Sequence, residues 1–329
     1  MLARLKIVLP FSVQIPEGEH FTVYKYEDEG YEVRVCPPKE RSKGPADSTT
    51  VDQIEIDGRK ALSSNVLRID FRKEQFDRRE DTELDPCPEF IERTVNSFLV
   101  RLRYVTRAAK VRTVNFVKSD WRLQYLNDDE TELKREDGFI RARVMGTVSL
   151  RVIPLTKEVW SSIHDLSPDF EPPPWDDLLL DASDALPEVG PSLVLAATAL
   201  EVFVARILDE LAKRSTIPSD LWTWLNNREW WFRDPTTEEQ FDELLKFLLT
   251  YSLKEDQQLW EAFKHIKSAR NSFVHDGTAR VGKVVVTNEH ARRLVDSAVE
   301  IIQAVRQRLP EDIKWKQYQH QHKVTGCLD

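Results

Sequence analysis

Apolar and polar residues alternate through the first half of the chain, which is the pattern of strands with one buried face. The alternating runs are rich in Val, Ile, Phe and Tyr. They are Leu5–Leu9, Phe21–Tyr26, Tyr31–Cys36, Val66–Phe71 and Phe139–Ile153. One segment, Pro88–Ala109, has apolar residues at helical spacing instead. We therefore predict a β-rich domain with one packed helix over residues 1–166.

A proline-rich stretch then interrupts both patterns. Pro172, Pro173 and Pro174 are consecutive within SPDFEPPPWDD. Consecutive prolines favour extended polyproline II and do not continue a helix or an inner strand. We interpret residues 167–188 as a linker between two domains. A proline-rich docking peptide is the alternative interpretation, although the segment has no PxxP repeat with basic flanks.

After this stretch, apolar residues recur at spacings of three and four, the period of amphipathic helices. Four segments have this spacing: Pro191–Lys213, Thr236–Leu253, Lys254–Phe273 and Thr287–Leu309. Their short connections favour an antiparallel helical bundle. Between the last two, VGKVVVT at 281–287 is a candidate for a short extended or hairpin excursion. The predicted fold is therefore α+β with two domains. The β-rich domain is followed by an all-α helical bundle at 189–310 and by a C-terminal tail at 311–329.

The net charge, the cysteines and the hydropathy of the chain restrict the classes of function that it can have. The chain has 329 residues and a formal net charge of -9, so a nucleic-acid site must be a local basic patch, and no DNA binding is expected. Cys36, Cys87 and Cys327 are far apart and odd in number, which indicates reduced thiols in a cytoplasm. No stretch approaches the roughly 20 apolar residues that span a bilayer. We therefore expect a cytoplasmic protein without membrane contact, metal or cofactor.

The candidate chemistry lies in LWEAFKHIKSARNSFVHDG, residues 259–277. Its apolar stripe consists of Leu259, Phe263, Ile266 and Phe273. Position 270 falls on this stripe but is Arg270, and a guanidinium there is unfavourable unless it is paired or lies in a cleft. His275 follows, and Asp276-Gly277 then predicts the end of the helix, since Gly favours the left-handed cap. We expect Arg270 and His275 at the rim of the bundle, where a substrate can reach them.

Arg270, Asn271 and His275 form R-N-x-x-x-H, which resembles the R-x(4–6)-H motif of HEPN domains. In that motif the residue after Arg is polar and often Asn. The order of the surrounding segments is similar too: helices, then the motif at a helix end, then a long amphipathic helix. The resemblance covers residues 189–310. Within the superfamily the chain looks closest to the ApeA-like group, in which a β-rich part precedes the HEPN domain.

The resemblance implies a metal-independent endoribonuclease of a toxin or antiphage defence system, with the β-rich domain sensing or restraining it. In the implied reaction a ribose 2′-hydroxyl attacks the neighbouring phosphate. His275 is then the general base or acid, and Arg270 neutralises charge on the phosphorane. Asn271 orients the phosphate or His275. The resemblance also implies a C2 homodimer in which both motifs line one cleft.

Other residues near the motif are assigned supporting roles. The local basic patch for RNA consists of Lys264, Lys267, Arg280 and Lys283. Glu201, next to the apolar stripe of the first helix of this half, is expected to pair with Arg270 and hold it. Asp276 belongs to the predicted helix end.

Simpler interpretations stay open beside this one. Arg270 could only form a salt bridge with Glu201 inside the bundle, and His275 could only interact with the helix dipole. The helical half would then be a non-catalytic module for dimerisation, RNA holding or partner capture. In a third interpretation the N-terminal domain has its own ligand pocket, although residues 1–165 show no catalytic grouping.

Overall fold

The computed structural model describes residues 1–38, 54–56, 58–76, 85–131, 141–142, 152–226, 234–316, 318 and 324–326. The chain divides into two compact units. One consists of Met1–Glu171 with Tyr318–Asp329, and the other of Pro172–Gln317. The first unit is rich in strands, as predicted, and the second consists mostly of helices.

The described residues form eleven strands: β1 (Leu2–Pro16), β2 (Tyr24–Asp28), β3 (Tyr31–Cys36), β4 (Ile54–Ile56), β5 (Arg59–Arg72), β6 (Trp121–Leu126), β7 (Arg141–Ala142), β8 (Val152–Pro154), β9 (Arg280–Val281), β10 (Val284–Val285) and β11 (Val324–Gly326). Their main helices are α1 (Pro88–Thr106), α2 (Lys157–His164), α3 (Pro174–Ala185), α4 (Val189–Arg214), α5 (Ser219–Asn226), α6 (Thr237–Glu239), α7 (Leu245–Leu249), α8 (Gln257–Asp276) and α9 (Asn288–Arg306). A π-helical turn, Gln240–Leu244, joins α6 to α7.

One curled sheet organises the first unit. Among the described residues its strands follow the order β11-β4-β5-β1-β6-β7, with β3 also on β5, β2 on β3, and β8 parallel to β1. The register of β1 against β5 shifts between Val8 and Val13, around Pro10. Pro10 cannot donate a hydrogen bond to the ladder, and such an irregularity bends a strand. The strand predictions are confirmed for Leu5–Leu9, Tyr31–Cys36 and Val66–Phe71. The predicted run Phe139–Ile153 lies mostly outside the described residues.

The predicted amphipathic helix of this unit is confirmed as α1, but the unit also contains a second helix, α2, so the expectation of a single helix is not met. The apolar stripe of α1 is buried against the sheet: Phe90, Ile91, Val95, Phe98, Leu99, Leu102 and Val105. The helix begins with Pro88, which is favourable there because the first helical N–H has no partner inside the helix. It ends at Arg107, whose φ of 56° lies in the left-handed region. The sequence pattern therefore determines which face of this helix is buried.

The predicted linker at 167–188 is wrong over most of its length. α3 begins at Pro174, the third of the consecutive prolines, and buries Trp175, Leu179 and Ala182 in the core of the second unit. Proline is excluded from helix interiors but is well suited to the first helical position. The prolines thus mark the start of a helix, and the second unit begins at Pro172 rather than at residue 189.

The predicted tail at 311–329 also needs correction. Trp315 packs against Trp175 and Phe203, with ring centroids 5.0 and 5.8 Å away. Val324–Gly326 forms β11, which pairs with β4 in the first unit. The described parts of this segment therefore belong to the two units, because their aromatic and β-forming residues find partners there.

The four predicted helical segments correspond to α4, the α6–α7 run, α8 and α9. The second unit is not all-α, however, because β9 and β10 form an antiparallel hairpin between α8 and α9. VGKVVVT predicts this hairpin, since its valines favour extended backbone and Gly282 takes a φ of 60° at the turn. The expectation of an all-helical bundle is thus not met in full.

One helix contradicts the expectation that no stretch is apolar enough to span a bilayer. By length and composition α4 could cross a membrane. In the structure, 56% of its most apolar 18-residue window is buried. A core helix satisfies the same criteria, and α4 contacts α3, α8 and α9. Length and composition alone therefore do not assign a membrane span.

Candidate functional site

α8 carries the candidate motif, and local chemistry determines both of its ends. Asp256 caps the first turn, its side chain accepting a hydrogen bond from the Leu259 N–H at 3.1 Å. At the other end Gly277 has a φ of 69°, and its N–H donates to the Phe273 carbonyl at 2.8 Å. The predicted left-handed cap at Gly277 is confirmed. Asp276 is exposed as the last helical residue.

The buried stripe of α8 differs from the predicted one at positions 269, 270 and 273. Ala269 is fully buried, whereas Arg270 and Phe273 are only half-buried. A helix has 3.6 residues per turn, so a strict spacing of three and four residues drifts around the helix. After a few turns, a residue next to the predicted one is the residue that contacts the core. Arg270 therefore lies at the edge of the core and not inside it.

Arg270 lines a small groove that opens to solvent. The other lining residues come from α4, α6 and α8: Ala197, Leu200, Glu201, Thr237, Phe263, Ile266 and Lys267. The Arg270 Nη1 donates to Asn271 Oδ1 at 3.0 Å. Its Nε–H is buried and has no acceptor. Within the part of the chain that the structure describes, no carboxylate lies within 4.0 Å of this guanidinium.

Glu201 shares the groove with Arg270 but does not pair with it. Both side chains line the same opening, yet no hydrogen bond or ion pair joins them in the described structure. The expected pair between Glu201 and Arg270 is therefore not formed in this structure. Asn271 takes that role, because its side-chain oxygen is within reach of the neighbouring guanidinium. The groove thus presents an unpaired carboxylate beside an incompletely bonded guanidinium.

His275 is exposed on the last turn of α8 and has no hydrogen-bond partner among the described residues. It lies five residues after Arg270, which places it about 140° around the helix and about 7.5 Å further along the axis. The two groups are therefore both close to one helix end, as predicted, but they project in different directions. No contact between them is formed within one copy of the described chain.

The four predicted RNA-binding cations differ in their partners. Lys264 pairs with Glu261 at 2.7 Å, and Lys267 pairs with Glu238 at 2.9 Å. Arg280 and Lys283 are exposed on the β9–β10 hairpin and make no ion pair in the described structure. Glu238 is distant in the chain from Lys267, so no sequence pattern indicates this pair, and only the packing of α6 beside α8 brings the two side chains together.

Gly190, which is not among the predicted site residues, allows α4 to lie close to the turn of α8 that carries Phe273. A Cβ at Gly190 would lie 2.1 to 2.5 Å from three ring atoms of Phe273. Phe273 lies between Asn271 and His275 in the chain, so its ring supports the last turn of α8. The sequence signal for this contact is a Gly in the first turn of a long helix, directly before Pro191.

We expect Gly190→Ala to destabilise the second unit by about 1–3 kcal/mol, because the ring of Phe273 must move. An Ala in a helix is otherwise about 0.5–1 kcal/mol more favourable than Gly, so a net loss identifies the clash. Urea unfolding of the variant measures it. Phe273→Leu should relieve the clash, so the double variant should be more stable than the sum of the single effects predicts. Additive effects would contradict the proposed contact.

A second group of titratable residues lies in the strand-rich unit. Arg101 is fully buried on α1 and donates to the carbonyls of Ser97 and Leu166 at 3.2 and 3.3 Å. His164 stacks on Tyr24 with ring centroids 4.0 Å apart, and both of its ring nitrogens are buried without a partner. Burial, reinforced by the nearby Arg101 charge, lowers the pKa of His164 to about 3. The imidazole is therefore neutral at physiological pH.

Within the described residues, no group of three or more His, Cys, Asp or Glu side chains is placed to hold a metal ion. Comparisons of this chain with protein-family models, with curated proteins and with solved structures found no match.

Proposed function

We propose that the second unit is a HEPN-type helical domain and that the protein is a metal-independent endoribonuclease of a defence or toxin system. The observation that carries this proposal is the state of Arg270. Its guanidinium is half-buried beside a groove, its Nε–H lacks an acceptor, and no described carboxylate lies within 4.0 Å of it. Such a charge is unfavourable unless an anion completes the site. An RNA phosphate supplies the charge and the acceptors together.

The proposed reaction needs one acid–base group and one charge stabiliser. His275 removes the proton from a ribose 2′-hydroxyl, whose oxygen forms a bond to the adjacent phosphorus. The bond from phosphorus to the 5′-oxygen breaks, and a protonated histidine returns a proton to that leaving oxygen. The products are a 2′,3′-cyclic phosphate and a 5′-hydroxyl. Arg270 stabilises the extra negative charge on the phosphorane, and Asn271 holds the guanidinium in place.

A second copy of the chain is part of this proposal. Arg270 and His275 project about 140° apart on one helix, so a single copy does not direct both at one phosphorus. Across a twofold axis, Arg270 of one copy can meet His275 of the other. The exposed position of His275 at the end of α8 supports such an arrangement.

The salt bridge between Glu238 and Lys267 leads to a separate prediction about RNA binding. Glu238→Gln removes the carboxylate that neutralises Lys267, so this lysine becomes available to a phosphate. We expect tighter RNA binding at low salt and a salt dependence steeper by about 0.7 in log–log slope, the value for one additional contact to single-stranded RNA. Fluorescence anisotropy over a salt series measures the slope. Glu289→Gln, which removes the partner of Arg293, is the charge-matched control. An unchanged slope in Glu238→Gln would place Lys267 away from the RNA.

A non-catalytic binding module is the second candidate function. The divergence of Arg270 and His275 within one copy favours it, since the groove and the imidazole then serve different contacts. In that case the protein would shift RNA on a gel without cutting it.

One experiment decides between the two candidates. Full-length protein is incubated with mixed RNA in EDTA, and the product ends are analysed chemically. The ribonuclease proposal predicts 2′,3′-cyclic phosphate ends from the wild type and none from His275→Ala. RNA that is bound by the wild type but stays intact would leave the binding module as the function.

A further inference from the structure

The two faces of the sheet in the first unit differ in charge. Along β1, every second residue, Ala3, Leu5 and Ile7, is buried in the same core as the apolar stripe of α1. Arg4 and Lys6 lie between them in the chain and therefore on the opposite face. Directly paired residues of neighbouring antiparallel strands share a face, so the register identifies which residues of β5 and β6 accompany them.

Three cations are direct neighbours on this second face, and we call them the cationic row. Lys6 of β1 pairs with Arg68 of β5 on one side and with Arg122 of β6 on the other. The register then continues from Arg122 to Arg141 of β7. Neighbouring strands lie about 4.8 Å apart, and like charges directly opposite each other in a sheet are destabilising. In a protein with a formal net charge of -9, such a row indicates a surface for a polyanion.

Carboxylates offset part of the positive charge beside the row. Asp70 lies two residues from Arg68 on β5 and contacts its Nη2 at 2.5 Å. The same carboxylate contacts the Nε of Arg4 at 2.9 Å, and Glu130 contacts the Nη2 of Arg4 at 3.0 Å. Asp70 is thus shared by two guanidinium groups, which it also holds in place. The positive charge that Asp70 leaves on the two arginines adds to that of the row.

We propose that the cationic row binds the phosphate backbone of single-stranded RNA, and the choice of RNA rests on the proposed ribonuclease function. Arg122 is exposed, and Lys6 and Arg68 are half-buried, so the row is open to solvent. The guanidinium fork and the ammonium both suit phosphate oxygens. Contacts to phosphates carry no base information, so this surface binds RNA without sequence preference. The first unit therefore holds RNA, whereas the second unit contains the proposed cleavage site.

The charge of the row favours a nucleic acid over a protein as its partner. The centre of a protein interface is usually apolar or aromatic and depleted of charged residues. Here the centre is Lys6, and both of its neighbours across the sheet are arginines. A repeating phosphate chain presents one negative charge after another, which matches a series of cations on adjacent strands.

The salt dependence of RNA binding tests this surface without cleavage. The full chain is titrated into a fluorescein-labelled 2′-O-methyl oligouridine, which lacks the attacking hydroxyl, over a series of salt concentrations. Lys6→Gln/Arg122→Gln removes two phosphate contacts, so the log–log slope should become shallower by about 1.4. Binding at about 50 mM salt should weaken on the order of 10- to 100-fold. Arg93→Gln/Lys157→Gln, on α1 and α2 at the other face of the sheet, removes the same charge and should keep the wild-type slope.

Lys6→Glu separates loss of binding from damage to the fold. This variant places a carboxylate between Arg68 and Arg122, so two pairs of opposite charge replace two pairs of like charge. We expect its thermal unfolding temperature to rise while its affinity for the oligouridine falls. A lower unfolding temperature would contradict the like-charge row on which the proposal depends.

The outcomes distinguish this surface from the proposed function. An unchanged slope in Lys6→Gln/Arg122→Gln, or no binding by the wild type, would overturn the RNA surface. A poly-glutamate peptide that binds as tightly as the oligouridine would assign the row to acidic proteins and overturn it too. If the wild type produces cyclic phosphate ends from ribose RNA while the slope is unchanged, the ribonuclease stands and the surface fails. If the slope changes as expected but RNA is never cut, the surface stands and the ribonuclease fails.

Discussion

Replacing His275 with Ala should reduce RNA cleavage by at least about 100-fold, since general acid–base groups contribute roughly 10²–10⁴ in rate. The side chain is exposed and makes no hydrogen bond in the described structure, so its removal should leave the thermal unfolding temperature unchanged. Cleavage of a fluorescently labelled RNA measures the rate. His265→Ala is the matched control, because His265 lies on the same helix, ten residues before His275. Equal loss in both variants would indicate damage to α8 and not loss of catalysis.

Arg270→Ala should have an effect of similar size, because it removes the cation that stabilises the phosphorane. Arg270→Lys should recover only part of the activity, since an ammonium cannot bond to Asn271 and two phosphate oxygens in one plane. Retained cleavage in both His275→Ala and Arg270→Ala would reject the ribonuclease proposal.

Mixing the two inactive variants tests whether two copies share a site. A dimer of one Arg270→Ala copy and one His275→Ala copy retains one arginine and one histidine, on different chains. If the cleft takes Arg270 and His275 from opposite copies, the mixture should regain cleavage that neither variant has alone. Absence of any recovery, with mixed dimers demonstrated by mass spectrometry, would place both groups in the same copy.

Acidification should destabilise the strand-rich unit through His164. The pKa of this imidazole is about 3 in the folded protein, against an ordinary value near 6.5. Between these values the unfolded chain binds a proton that the folded chain does not, so stability falls as the pH decreases from about 6.5 toward 3. From pH 7 to pH 5 the loss amounts to at most about 2 kcal/mol. Above pH 7 this group adds no pH dependence.

His164→Phe isolates this effect because it keeps a ring on Tyr24 and removes both unpartnered nitrogens. Hydrogen exchange of the α2 peptide in urea, followed by mass spectrometry, reports on this unit. Comparing both proteins at the same pH cancels the intrinsic pH dependence of exchange. We expect the wild type to lose up to about 2 kcal/mol more than the variant between pH 7 and pH 5. Identical losses would show that His164 is not the group that titrates.

The prolines at 172–174 have opposite effects in the interior of a helix and at its start. Their chemistry excludes a helix interior, which predicts a linker, but the same chemistry favours a helix start at Pro174. The deciding contribution comes from Trp175, Leu179 and Ala182, which are buried in the second unit. Burial of such a stripe depends on the availability of a partner surface, and sequence periodicity over a short segment does not reveal that surface.

For the candidate site, the sequence identified the candidate residues but not the contacts between their side chains. The motif and the end of α8 at Gly277 follow from residue type and spacing. The choice between Glu201 and Asn271 as the partner of Arg270 depends on distances of a few ångströms. Glu238 reaches Lys267 from a separate segment, and no pattern along the chain indicates this pair.

By itself, the sequence determined the strand-rich first half, the buried faces of α1 and α9, the hairpin at 281–287 and the position of the motif near a helix end. These features depend on periodicity and on the backbone preferences of Gly, Pro and β-branched residues, which act over a few neighbouring residues. Only the tertiary structure decided that α3 belongs to the helical unit, that Arg270 borders a groove with Glu201, and that His275 points elsewhere. Such relations depend on side chains far apart in the chain meeting at close range, and local preferences do not encode that geometry.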